Sequence, residues 1–209
     1  MTQLPRLYAI LDRARFTGTE TLVSAAEKLF GAGVLLMQYR NKCGDAGAML
    51  TEARELRQRL LGAKDRMAPR LMMNDRADLC LAADYDGVHV GQEDLLAEAA
   101  RKIVGPDRWV GVSTHNAEQV AKADQTPAAY IAVGPVFGTS SKANPDPVIG
   151  LDGVRQARRL TRKPLVAIGG ITRQNCLSVM EAGADSVAVI SDLLRDPAKS
   201  AEEFLRILG

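Results

Sequence analysis

The sequence predicts a closed (β/α)8 barrel. Short β-rich runs alternate with longer helical stretches from one end of the chain to the other. Eight such units share 209 residues, about 26 each, near the minimum for this architecture. No linker or low-complexity segment interrupts the alternation, so one domain is expected over residues 1–209. The competing arrangement is an open doubly wound sheet. It needs fewer strands and usually a glycine-rich first turn, where this chain has Asp12-Arg13-Ala14-Arg15.

The first predicted strand, residues 6–11, is an apolar run flanked by Arg6 and Asp12. The helix at 19–32 has Thr19 or Thr21 to cap it, and Gly31 with Gly33 to stop it by accepting positive φ. Strand two spans 34–39. Helix two, 45–61, is capped by Asp45 and carries Glu55 and Arg59 four apart on one face. Strand three, 70–73, leads to a short helix at 76–83, strand four, 87–90, to helix four at 95–104, and strand five, 109–112, to helix five at 116–123. Strand six, 130–133, opens a long loop before helix six at 151–160. Strand seven, 164–168, precedes helix seven at 173–182, which Gly183 closes, and strand eight, 186–190, precedes helix eight at 197–208.

Composition bounds the chemistry. With 46% hydrophobic and 25% charged residues the chain has an ordinary globular balance, and a net charge of +2 supplies no general attraction to nucleic acid or an anionic membrane. Cys43, Cys80 and Cys176 form no CxxC pair, which argues against a disulfide framework or zinc knuckle and makes a reducing cytoplasm the expected compartment. The apolar run at 7–11 is too short for a signal segment or a membrane span. His89 and His115 are the only histidines, so a divalent metal would be held mainly by oxygen. Oligomeric state is left open, a homo-oligomer included.

Barrel enzymes carry their chemistry on loops at the C-terminal ends of the strands. Here those positions are polar. Gln38, Arg40 and Lys42 alternate at the end of strand two, which puts them on one side of an extended segment, able to grip an anion or simply to face solvent. Asp75 and Asp94 follow strands three and four. Each suits a helix cap, and the two together suit Mg2+, which takes one or two carboxylates plus substrate phosphates and water. Ser113 ends strand five. The long loop after strand six, with Thr139, Ser141 and Lys142, reads as a binding loop or a variable excursion. Gly169-Gly170 after strand seven, and Ile190-Ser191 at strand eight, stand where this architecture usually cradles phosphate. His89 reads as a packed, hydrogen-bonded histidine, His115 as a group near the mouth, and Arg155, Arg158, Arg159, Arg162 and Lys163 as a solvated helix face.

In order along the chain, Gln38-Tyr39-Arg40-Asn41-Lys42, Asn74-Asp75-Arg76, the run 86–94, Gly111-Val112-Ser113, Gly134-Pro135-Val136-Phe137 with Thr139-Ser140-Ser141-Lys142, and Ala167-Ile168-Gly169-Gly170-Ile171 resemble the thiamine-phosphate synthase family over nearly the whole chain. The resemblance implies a (β/α)8 transferase that joins a hydroxymethylpyrimidine diphosphate to a thiazole phosphate, releasing pyrophosphate. It implies that Gln38, Arg40, Lys42, Asn74, Ser113 and Lys142 hold the pyrimidine diphosphate, with Arg40, Lys42 and Lys142 stabilising the leaving group. By the same resemblance Asp75 and Asp94 carry Mg2+, and Thr139, Ser141, Gly170, Ile190 and Ser191 receive the thiazole phosphate. Asn41 stands where the family usually has Glu, and Ser141 where Thr is common. Two other readings compete. A thiazole tautomerase shares the fold, but resemblance to that family implies His at the position of Pro135 and no equivalents of Asp75, Asp94 or Lys42. A non-catalytic phosphate-ligand sensor would keep the pocket without turnover.

Overall fold

A computed structural model describes residues 4–62, 68–139 and 146–209. Among these, eight parallel strands pair in chain order and β8 pairs with β1, closing the barrel. The strands are β1 Leu7–Asp12, β2 Leu36–Arg40, β3 Arg70–Asn74, β4 Gly87–Val90, β5 Trp109–Thr114, β6 Tyr130–Val133, β7 Leu165–Ile168 and β8 Ser186–Val189. The helices are α1 Thr19–Gly31, α2 Ala46–Leu61, α3 Ala77–Ala82, α4 Ala97–Val104, α5 Ala117–Asp124, α6 Gly150–Leu160, α7 Cys176–Glu181 and α8 Pro197–Leu208. The open doubly wound sheet is thereby excluded.

All six residues of β1 are buried because both faces of the strand are covered. Leu7, Ala9 and Leu11 pack in the layer between sheet and helices, while Tyr8 and Ile10 fill the barrel with Leu36, Met72, Tyr130 and Val166. This two-sided burial explains why the strands read as near-continuous apolar runs. Against the outer face, α1 buries Leu22, Ala26, Leu29 and Phe30, a helical stripe whose large members each contribute about 1.5–3 kcal/mol. Inside the barrel, Gly111 is a space requirement: a Cβ there would lie 2.1 Å from Tyr130 Cζ and 2.6 Å from His89 Nδ1.

Several local expectations change. Neither Thr19 nor Thr21 is the N-cap of α1. Gly18 holds that position, and Thr21 Oγ1 reaches back to accept from Gly18 N at 3.2 Å. Gly33, at φ 104°, ends the helix as expected, and Asp45 caps α2 by accepting from Ala48 N at 2.9 Å. Arg59 turns to Glu27 of α1 at 2.9 Å, because helix packing offers it a carboxylate across the groove. The basic stretch at 155–163 is only partly a solvated face, since Arg158 pairs with Asp185 at 2.9 Å and Lys163 Nζ donates to Thr126 O. Helix α7 begins at Cys176 rather than 173, and Arg173, in the loop before it, pairs with Asp192 of the loop after the adjacent strand β8.

Candidate active site

A cavity of about 890 Å³ opens at the C-terminal ends of the strands. Gln38, Arg40, Lys42, Asn74, Asp75, Asp94, Ser113, Thr139, Gly170, Ile190 and Ser191 all line it. Ser141 and Lys142 lie outside the described residues. Groups spread over more than 150 positions of sequence thus meet at one mouth, as the strand-end argument requires.

Strand β2 delivers the first three. Gln38 is buried and its Nε2 donates to Tyr8 Oη at 2.8 Å. Arg40 donates from Nη1 to Asp12 Oδ2 at 2.6 Å, the two residues being register partners of β1 and β2. Lys42 Nζ is ion-paired with Asp75. Tyr39, facing outward, donates to Glu52 Oε2 at 2.6 Å. Burial opposes ionisation of Glu52, but hydrogen bonds from Tyr39, Arg13 and Thr19 outweigh it and hold the carboxyl below its usual range. Asn41 does not lie between its charged neighbours. Its Oδ1 accepts from Cys43 N and Gly44 N, both at 3.0 Å, and its Nδ2 donates to Tyr39 Oη at 3.2 Å. It shapes the turn after β2, so a Glu there is not needed to hold Arg40 or Lys42, which already have Asp12 and Asp75.

Asp75 and Asp94 are not helix caps. The N-cap of α3 is Arg76 and that of α4 is Leu96. Asp75 has a left-handed backbone, φ 61°, with its N–H donating to His89 O at 2.7 Å. Such a conformation is uncommon for a residue with a Cβ, and among the described non-glycine residues Asp84, at the other end of the barrel, is the second to adopt it. Asp94 Oδ2 accepts from Gly91 N at 2.8 Å. Burial raises the Asp75 carboxyl above its usual range, and the facing Asp94 carboxyl adds to this against the pull of Lys42. Beside them, Asn74 Nδ2 is buried without a partner among the described residues, a condition worth about 1–3 kcal/mol to an incoming acceptor.

The Gly-Gly after β7 has a second role. Gly169 and Gly170 have φ of 99° and 64°, and a Cβ on Gly170 would lie 2.5 Å from Gly138 O. Phe137 N donates to Gly169 O at 3.0 Å. The pair therefore admits the loop after β6, bringing Thr139 to the cavity, besides leaving its own backbone at the surface of the site. Arg173 donates to Asp192 through Nε at 3.1 Å and Nη2 at 2.9 Å, which ties the β7 and β8 loops together. His115 Nδ1 donates to Gly134 O at 2.7 Å and is a loop fastener. His89 is hydrogen-bonded through both nitrogens, as expected, and burial lowers its pKa to about 4. Asp12 and Asp192 were not among the sequence candidates. The only sequence signal for Asp12 was its place directly after an apolar strand.

A family model described as thiamine monophosphate synthase matches residues 7–193. The chain belongs to the thiamine-phosphate synthase family. A thiamine-phosphate synthase of Koribacter versatilis strain Ellin345 is 57% identical over 210 residues, covering 99% of this chain and 97% of the relative. One from Methanosarcina mazei is 38% identical over 179 residues, 85% of this chain and 72% of the relative. The solved structure of a thiamine phosphate pyrophosphorylase from Pyrococcus furiosus has a TM-score of 0.84 at 32% identity, covering 97% of this chain and 95% of the other. This thiamine-phosphate synthase family member is accordingly a transferase. Each motif that resembles the family contributes at least one residue to the cavity wall. The tautomerase and sensor readings find no support among these matches.

Proposed function

We propose that the enzyme joins 4-amino-2-methyl-5-hydroxymethylpyrimidine diphosphate to 4-methyl-5-(2-phosphooxyethyl)thiazole in this cavity, giving thiamine monophosphate and pyrophosphate with Mg2+ as cofactor. The observation that carries the reading is the facing pair Asp75 and Asp94, next to Lys42 and the unpartnered Asn74 amide. Among the described cations of the site, Arg40 and Lys42 are each matched by a carboxylate. A diphosphate approaching Asp75 and Asp94 would therefore meet repulsion unless a cation intervened. Two oxygen-donor residues with room for phosphate and water fit Mg2+. The described residues contain no cluster of three or more His, Cys, Asp or Glu of the kind a fully protein-caged metal requires.

When bound, Mg2+ would supply positive charge to the diphosphate oxygens as the leaving group forms. Arg40, Lys42 and Lys142 would bind the same oxygens and stabilise the negative charge that accumulates when the C–O bond to the pyrimidine methylene breaks. Gln38, Asn74 and Ser113 would orient the pyrimidine diphosphate. Thr139, Ser141, Gly170, Ile190 and Ser191 would receive the thiazole phosphate, so that the thiazole nitrogen is aimed at the methylene carbon it attacks. The leaving pyrophosphate carries away the C–O electron pair, and no protein nucleophile is required. No helix among the described residues is long and apolar enough to cross a membrane.

Pyrophosphate release with both substrates tests this. Release that requires both substrates and Mg2+, stops with a chelator, and is matched by thiamine monophosphate is expected. Release without Mg2+, or none from folded protein, would overturn it.

A further inference from the structure

Five side chains inside the barrel form one continuous hydrogen-bonded chain from β2 to β5. Gln38 Nε2 lies 2.8 Å from Tyr8 Oη, Tyr8 Oη 3.0 Å from Tyr130 Oη, Tyr130 Oη 2.9 Å from His89 Nδ1, and His89 Nε2 2.8 Å from Ser113 Oγ. Gln38, Tyr8, His89 and Ser113 line the cavity, and Tyr130 links Tyr8 to His89 from outside its lining. The middle three do none of the binding proposed above, yet Tyr8 and Tyr130 are at most 1% exposed and His89 only 7%. Gln38 Nε2 donates to Tyr8 Oη, and each later link joins two groups that can donate or accept. A neutral imidazole donates through one nitrogen and accepts through the other, so His89 couples the Tyr130 link to the Ser113 link: whichever way one runs, the other is set. The chain holds the Gln38 amide and the Ser113 hydroxyl in one fixed relation.

We propose that Tyr8, Tyr130 and His89 are positioning residues for the pyrimidine diphosphate: their hydrogen-bond chain fixes the orientation of the Gln38 amide and the Ser113 hydroxyl toward that substrate. The empty space at Gly111 belongs to the same device, since any side chain there would strike both Tyr130 and His89. Stacking of the His89 and Tyr130 rings, with centroids 5.5 Å apart and planes at 25°, holds the central link. The inference rests on the function proposed above and adds to it how the two binding groups acquire their orientation.

A double-mutant cycle tests it. Tyr130→Phe removes the central hydroxyl and keeps the ring. It is expected to raise KM for the pyrimidine diphosphate about three- to tenfold and to leave KM for the thiazole phosphate unchanged. In a Ser113→Ala background the same change is expected to add little, because the group it orients is gone. Multiplicative effects, or equal changes in both KM values, would overturn the inference and leave Tyr130 a packing residue. Tyr8→Phe scored against Gln38→Ala tests the other end of the chain and decides the matter if Tyr130→Phe does not fold. A wild-type enzyme that releases no pyrophosphate would overturn the functional reading itself. Wild-type turnover with multiplicative mutants would overturn only the positioning chain.

Discussion

At the N-terminal end of the barrel, Arg108, Arg101 and Lys163 direct their charge at backbone carbonyls, those of Tyr85, Gly105 and Thr126. Carboxylates there do the complementary work: Asp86 accepts from Leu71 N at 2.8 Å and Asp185 from Leu165 N at 2.7 Å. Ion pairs occur at both ends, Arg158 with Asp185 at the N-terminal end and Arg40 with Asp12 and Lys42 with Asp75 at the C-terminal end, and at the C-terminal end two carboxylates, Asp75 and Asp94, also face each other beside the cavity. The residue types are the same at both ends. Charges that close backbone hydrogen bonds serve the fold, whereas carboxylates that face each other gain nothing from it.

The sharpest way to break this comparison is at Asp75. Asp75→Ala is expected to lower Mg2+-dependent kcat/KM by a factor on the order of 10²–10³, with the melting temperature little changed, because the carboxyl is held against burial and against Asp94. Retained activity would sink the metal assignment. A smaller loss is expected at Asp12, which touches Arg40 from β1. Asp12→Ala should raise KM for the pyrimidine diphosphate by roughly tenfold through a misplaced guanidinium, and initial-rate kinetics with each substrate varied would detect it. The reverse behaviour is expected at the other end. Asp86→Ala leaves Leu71 N without its acceptor and Arg57 with Asp84 alone, and should cost roughly 1–3 kcal/mol in denaturant unfolding with kcat/KM unchanged. A loss of activity without a loss of stability there would erase the distinction between the ends.

The smallest effect concerns His89 and acts only in acid. Burial lowers its pKa from 6.5 to about 4, so above pH 6.5 it is neutral in folded and unfolded chains alike. As pH falls from 6.5 towards 4 the unfolded chain takes up a proton that the native site refuses. Its contribution to stability is therefore present above pH 6.5 and lost as pH falls through this window. Thermal unfolding against pH should show a steeper acid decline for the wild type than for His89→Gln, and parallel curves would remove this assignment.

The eight-fold alternation was legible because barrel strands are buried on both faces and the helices on one, giving two periodicities that do not overlap. Site residues were legible where chemistry clustered within a few positions, as in Gln38-Tyr39-Arg40-Asn41-Lys42. Less legible were the groups that hold them. Asp12, Tyr8 and Tyr130 sit on strands that look like ordinary core, and nothing local marks Asp12 as the partner of a residue 28 positions away. On sequence alone Asp75 and Asp94 each suit a helix cap, whereas in the fold the neighbouring helices are capped by Arg76 and Leu96.

By itself the sequence determined the order of elements and the set of polar residues at the strand ends, and favoured the closed barrel over the open sheet, since these follow from periodicity and from which residues stand after each strand; the pairing of β8 with β1 closed it. Tertiary structure alone decided which charges pair, which carboxylates face each other, and which side chains the hydrogen bonds inside the barrel join. The reason is physical: pairing depends on distance across the barrel, set by register and strand order, and a carboxylate's role depends on what stands opposite it.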